Sequence, residues 1–224
     1  MNEQLEIAWS AIDTVLLDMD GTLLDLHFDT YFWREHLPRR YAEKHGLSVE
    51  KARQRLYPDF AAREGTMNWY CVDYWSRELD VDIALLKEEV AHLIAVHPHV
   101  IDFLGFLRKT GKRRVLVTNA HHKSLALKMK HTRLGEHLDR IICAHDLGLP
   151  KENSAFWKRL QRAMPFDPAT TLLVDDNPRV LDSAARHGIA HLLAVTRPDS
   201  RQPVKKTDRF ASVTGLGRLI GPSA

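Results

Sequence analysis

The stretch Thr14-Val15-Leu16-Leu17-Asp18-Met19-Asp20-Gly21-Thr22-Leu23-Leu24 constrains this chain more than any other. Its apolar run is too short for a helix and reads as a strand buried on both faces. The run stops at two carboxylates in alternate positions, and Gly21 follows at once, which permits a sharp turn. Open α/β sheets place their reactive groups at the carboxyl ends of such strands. Burying two neighbouring carboxylates costs several kcal/mol unless a partner offsets their charge. A divalent cation is the usual partner, and hard oxygen ligands point to Mg²⁺. Taken alone, the pair also fits a plain strand-to-turn junction, so the rest of the chain has to decide.

From His27 to about Val96 the pattern is helical and different in character. Ser48, with Lys51 to Arg55 behind it, and Asp82 before its apolar-periodic run read as helix starts. Between them lies the aromatic stretch Asn68-Trp69-Tyr70-Cys71-Val72-Asp73-Tyr74-Trp75. No strand is expected here, so these roughly 70 residues read as a small helical subdomain.

After Pro98 helix and strand alternate. Helices are expected at Val100–Thr110, Ser124–Arg133, Ser154–Met164 and Val180–His187. Strands are expected at Arg114–Thr118, Arg140–Ala144, Thr171–Val174 and His191–Val195, with a loop running from the second of these to Pro150-Lys151. Such alternation implies right-handed crossovers and a parallel sheet. The expected fold is therefore α/β: a Rossmann-like parallel sheet core flanked by helices, formed by residues 1–26 and 97–224, with an all-helical unit at 27–96 inserted after the first motif. The tail from Arg197 reads as polar and turn-rich, with one short apolar end at Leu216 to Ile220.

Several classes of function fall away. A net charge of +3, from 32 basic and 29 acidic residues, gives no field suited to nucleic-acid binding. Thirteen histidines are scattered without zinc-ligand spacing. Cys71 and Cys143 are the only cysteines and form no CxxC pair, which favours a reducing compartment. The opening MNEQLEIAWSAID does not read as a signal peptide, and no apolar run approaches the ~20 residues that span a bilayer. The expectation is a cytoplasmic protein with no membrane, nucleic-acid or obligate protein partner.

Four strand ends or the loops after them present polar groups: Asp18 and Asp20; Thr118 and Asn119; Lys151; Asp175 and Asp176. In a parallel sheet these converge on one crevice, with a nucleophile, a metal site, a hydroxyl donor and a fixed cation, the parts that phosphoryl transfer needs. In this order, from about Thr14 to Val195, the motifs resemble the haloacid dehalogenase-like hydrolase superfamily. Asp18-Met19-Asp20-Gly21-Thr22 is similar to its first motif, Thr118 to its second, Lys151 to its third and Asp175-Asp176 to its fourth. The resemblance implies that Asp18 attacks a substrate phosphorus and that Asp20 protonates the leaving oxygen, then activates water. It implies Mg²⁺ held by the Asp18 carboxylate, the Asp20 backbone carbonyl and Asp176, with Asp175 acting through water. Thr118 and Asn119 would donate to phosphate oxygens, and Lys151 would neutralise their charge.

An acid at position 20 disfavours dehalogenation, because members that displace halide lack it. About 77 residues separate Asp20 from Pro98, room for a helical cap, whereas 33 separate Thr118 from Lys151, which leaves no room for a second. Pro150 precedes Lys151 and Glu152 follows it, a departure from members that place Pro after that lysine. The stretch to Leu26, Phe28-Asp29, Tyr31-Phe32-Trp33, Asn68 to Cys71, Asp73-Tyr74-Trp75 and Thr118-Asn119-Ala120-His121 resemble bacterial GMP/IMP nucleotidases of this superfamily. That likeness implies a purine 5′-mononucleotide as the small-molecule substrate. Phe28, Tyr31, Trp33, Trp69 or Tyr70 would be available to stack on a base, or to pack the insert's own core. His27, His121 and His122 flank the motifs, and Asp25 and Asp29 suit either sugar hydroxyls or helix capping. A sugar-phosphate phosphatase or phosphomutase shares all four motifs. A phospho-acceptor receiver module is a further alternative, but it places its acidic pair at the first strand and its acceptor later.

Overall fold

The computed structural model describes residues 7–220. The signal-peptide reading falls partly on residues 1–6, outside the described residues. Six strands form one sheet: β1 Thr14–Leu17, β2 Arg113–Thr118, β3 Arg140–Cys143, β4 Thr171–Asp175, β5 His191–Val195 and β6 Ala211–Val213. Their spatial order is β3-β2-β1-β4-β5-β6, and every neighbouring pair is parallel. Leu17 is in register with Leu116 on one side and Val174 on the other. The carboxyl ends of β1, β2 and β4 therefore open at one edge.

The helices are α1 His27–Tyr31, α2 Leu37–His45, α3 Val49–Arg63, α4 Met67–Tyr70, α5 Val72–Leu79 and α6 Ile83–Glu89, then α7 Val100–Lys109, α8 His122–Thr132, α9 Ala144–Leu147, α10 Ser154–Ala163 and α11 Pro178–His187. A π-helical segment, Phe32–His36, joins α1 to α2. All of β1 is buried, as its unbroken apolar run requires. Its alternate residues serve opposite layers. Val15 and Leu17 pack with Phe103, Leu104 and Leu107 of α7, while Leu16 packs with Phe156, Trp157 and Leu160 of α10 and Val180, Leu181 and Ala184 of α11.

Between His27 and Val96 there is no strand, and the helices close on a core of their own around Phe28, Phe32, Leu56, Phe60, Trp75 and Ile83. Ser48 and Asp82 cap α3 and α6: Ser48 Oγ accepts from the Lys51 amide at 3.3 Å and Asp82 Oδ1 from the Leu85 amide at 3.0 Å. Among the described residues, no helix is long and apolar enough to cross a membrane.

Some elements differ from the sequence reading. The tail holds β6, whose three residues form no readable alternation and are ordered by pairing with β5. The segment after β3, expected as loop, contains the single turn α9. Helices α8 and α11 start two residues early because His121 and Asn177 cap them: His121 Nδ1 accepts from the Lys123 amide and Asn177 Oδ1 from the Arg179 amide.

Candidate active site

The turn after β1 folds back on itself. The Met19 carbonyl accepts from the Leu23 and Leu24 amides, at 3.0 and 2.8 Å, and the Gly21 amide donates to the Leu24 carbonyl at 2.7 Å. Gly21 has φ +91°, and a Cβ there would stand 2.8 Å from both Asp176 Cγ and Pro198 Cβ. Glycine is thus required by conformation and by space, and it lets the β1 turn press against the end of β4.

Lys151 joins the two strand ends. Its side chain is 2 % exposed, and its Nζ donates to Asp18 Oδ1 at 2.5 Å and to Asp175 Oδ2 at 2.7 Å. The loop that carries it is tied to β2, since the Lys151 amide donates to Asn119 Oδ1 at 2.9 Å. Thr118 is buried, and its Oγ1 accepts from the Ala120 amide at 3.0 Å. The position of Pro relative to Lys151 therefore does not keep the ammonium from the carboxylates.

Asp18, Asp175 and Asp176 bring ligand oxygens within 4.8 Å of one another. Burial pushes Asp18 up to about 7, against the pull of Lys151, with Asp175 and Asp20 adding repulsion. Burial likewise raises Asp175 to about 6 and Asp176 to about 7, the latter also repelled by Asp18. One buried lysine cannot offset three carboxylates, and hard oxygens in excess negative charge fit a divalent cation. Asp175 has both oxygens engaged, Oδ2 by Lys151 and Oδ1 by the Asn177 amide at 2.9 Å. Among the described residues, the one cation paired with Asp176 is the exposed Lys205, at 3.6 Å, which leaves Asp176 the freer ligand.

All seven residues singled out in the sequence line one cavity of about 730 Å³ between the sheet edge and the helical insert. Trp33, Trp69 and Tyr70 line it too. Trp33 and Trp69 stack at 5.8 Å with an interplanar angle of 26°. Phe28, only 1 % exposed, and Tyr31 are not among the lining residues; Phe28 belongs to the insert core. Of the flanking histidines, His121 faces the cavity, whereas His27 and His122 do not line it. Asp25 is a local cap, accepting from the amides of His27 and Ser200 at 3.0 Å.

The haloacid dehalogenase-like hydrolase family profile matches residues 12–188. The chain belongs to this family. Curated relatives include the GMP/IMP nucleotidase YrfG of Escherichia coli K12 and that of Shigella flexneri, each 41 % identical over 216 residues, spanning 96 % of this chain and 97 % of theirs. Among solved structures, an HAD phosphatase from Thermococcus onnurineus superposes with a TM-score of 0.76 at 23 % identity, covering 93 % of this chain and 96 % of that one. The L-2-haloacid dehalogenase of Xanthobacter autotrophicus follows at 0.62 and 17 %, with the same coverage of both chains. These two establish the shared fold.

The hydrolase also holds polar residues that the sequence reading did not single out. Lys128 of α8, 1 % exposed, donates to Asp20 Oδ1 at 2.6 Å and to Asp29 Oδ2 at 2.5 Å. Lys87 of α6 donates to Asp29 Oδ1 at 2.7 Å, with its Nζ 4.5 Å from the Phe32 ring centroid. Burial raises the pKa of Asp20 against the opposing pull of Lys128. At Asp29 burial acts in the same sense, but the two lysines outweigh it and hold the carboxyl far below the usual range. The available signal was placement: Lys87 falls between Ile83 and Val90 on the inward face of α6, a costly position for an unpaired cation. Glu152 is the other such residue. It accepts from Tyr70 Oη at 2.5 Å and Asn119 Nδ2 at 2.9 Å, linking insert to sheet at the position that follows Lys151.

Proposed function

We propose that this hydrolase is a Mg²⁺-dependent phosphomonoesterase of small molecules, and that its substrate is a purine nucleoside 5′-monophosphate. The observation that carries the chemistry is the Asp20 carboxylate, which faces the cavity two residues after Asp18. The substrate class is supported by the 41 % identity to GMP/IMP nucleotidases along nearly the whole chain and by the Trp33–Trp69 pair in the cavity wall.

In this reading Asp18 Oδ attacks phosphorus, the bond from phosphorus to the ester oxygen breaks, and Asp20 gives its proton to the departing alkoxide. Asp20 then takes a proton from the water that attacks the aspartyl-phosphate, releasing inorganic phosphate and restoring both carboxyl groups. Lys151, 2.5 Å from Asp18 Oδ1, favours the anionic nucleophile against the burial that raises its pKa, and faces the charge on the transferring group. Thr118 Oγ and the Asn119 amide donate to the phosphate oxygens. Asp18, Asp176 and the Asp20 carbonyl, supported by Asp175, would hold Mg²⁺, which when bound would neutralise charge on the phosphoryl group. Residues 27–96 act as a cap that keeps water from the intermediate, docked on the 1–26 and 97–224 core. The two unpaired cysteines support a cytoplasmic setting.

The test is phosphate release from GMP, IMP and a set of hexose phosphates, with Mg²⁺ or EDTA, beside Asp18→Asn. Mg²⁺-dependent release fastest from GMP or IMP, falling by about three orders of magnitude or more in the variant, is expected. Faster release from a hexose phosphate would discard the nucleotide and keep the chemistry. Release that persists in Asp18→Asn would discard the nucleophile.

A further inference from the structure

We propose that Cys71, His121 and His145 form a second metal site, for a Zn²⁺-type borderline cation, that ties the helical insert to the sheet domain beside the active site. The three residues come from separate parts of the chain. Cys71 caps α5 of the insert, His121 caps α8 after β2, and His145 lies on α9 after β3. Yet one ligand atom from each lies within 4.8 Å of the other two.

The donor set decides the class of ion. One sulfur and two imidazole nitrogens suit Zn²⁺ and its neighbours, whereas Mg²⁺ prefers the oxygen cluster of Asp18, Asp175 and Asp176. Bond lengths near 2.3 Å to sulfur and 2.0–2.1 Å to nitrogen place tetrahedral donors about 3.3–3.7 Å apart. A closing movement of about an ångström, within the reach of side-chain rotation, brings the three to that spacing. Three protein ligands leave a fourth position for water.

The imidazoles are prepared for such a role. Among the described residues, His145 Nε2 is shut off from solvent and has no hydrogen-bond partner. A buried imidazole nitrogen left without a partner is a position from which a histidine can hold a metal ion. His121 Nδ1 accepts the long 3.3 Å bond from the Lys123 amide, and its Nε2 stands 3.6 Å from Asp73 Oδ2. The proton of the neutral ring therefore sits on Nε2 facing a carboxylate, and the Nδ1 lone pair is held only by that weak bond. Burial, with the neighbouring imidazoles, pushes His145 down to about 4, and burial also lowers His121, so both rings are unprotonated at neutral pH.

A bland account exists for Cys71, whose Sγ accepts from the Tyr74 amide at 3.3 Å and so caps α5. It does not account for the unpartnered His145 nitrogen. The adjoining group His122, Cys143 and Asp146 is a weaker candidate, because the Cys143 thiol already donates to the Ala120 carbonyl at 3.2 Å and the other two side chains are exposed.

The experiment is a Co²⁺ titration of the full chain, metal-stripped and then saturated with Mg²⁺ to fill the carboxylate site. A thiolate-to-cobalt band in the near ultraviolet with tetrahedral visible absorption, reaching one equivalent and erased by Zn²⁺, is expected. Cys71→Ser and His145→Gln should each remove the band or weaken binding at least tenfold, and Cys143→Ser should leave it intact. Circular dichroism confirms that each variant is folded. Absence of a band, its survival in Cys71→Ser, or its loss in Cys143→Ser would overturn the site. The band is read without substrate, so it stands or falls apart from the hydrolytic reading.

Discussion

At Gly21 a left-handed φ and a missing Cβ serve the same junction, because a Cβ there would stand only 2.8 Å from Asp176 Cγ. Gly21→Ala adds backbone strain and a clash with the freest of the three clustered carboxylates. We expect a loss of about 1–3 kcal/mol in urea denaturation. We also expect the Mg²⁺ concentration for half-maximal activity to rise about tenfold, since Asp176 has to move. Normal stability with normal Mg²⁺ dependence would show that the turn adapts freely. At this scale, much was readable in sequence: an acid pair, a glycine and a threonine stand at or just beyond strand ends, and a lysine lies in the loop that follows β3 and α9. Lys128 was not, because nothing local distinguishes a lysine on α8 that meets Asp20 from one in solvent.

Elements of the insert and the sheet domain meet through charge as well as through apolar packing. Helix α1 supplies Asp29, α6 supplies Lys87 and α8 supplies Lys128, and the last also holds Asp20. Replacing Lys128 by Met leaves two half-buried carboxylates without their shared cation, a change expected to cost about 2–3 kcal/mol. Adding Asp29→Asn removes one of those charges, so the double variant should recover at least about 1 kcal/mol over Lys128→Met in urea melts. Strict additivity of the two single changes would argue against the network. The helices themselves were legible from caps and apolar spacing, as at Ser48 and Asp82. Which helix faced which was not, since an inward lysine names no partner.

Over the whole molecule, the sheet is completed by a strand that the tail contributes late. Val213 of β6 and Leu216 and Leu219 beyond it enter the core layer that contains Val15, Leu17 and Val195. Ending the chain at Thr207 strips these residues, worth about 2 kcal/mol each in apolar burial, and leaves the β5 edge unpaired. The shortened chain should lose roughly 5 kcal/mol and associate through that edge, visible as an earlier melt and as larger species in light scattering. A monomer with an unchanged melt would mean that the tail adds nothing. By itself, the sequence determined the alternation of buried strands and amphipathic helices, and with it the parallel α/β fold and the row of polar groups at the strand ends. These follow from periodicity and turn chemistry, which are local. Only the tertiary structure decided that Asp20, Lys128, Asp29 and Lys87 form one network, that Glu152 ties Tyr70 to Asn119, and that Cys71, His121 and His145 meet. Those pairings join residues from segments far apart in the chain, and no local pattern encodes how such segments will be brought together.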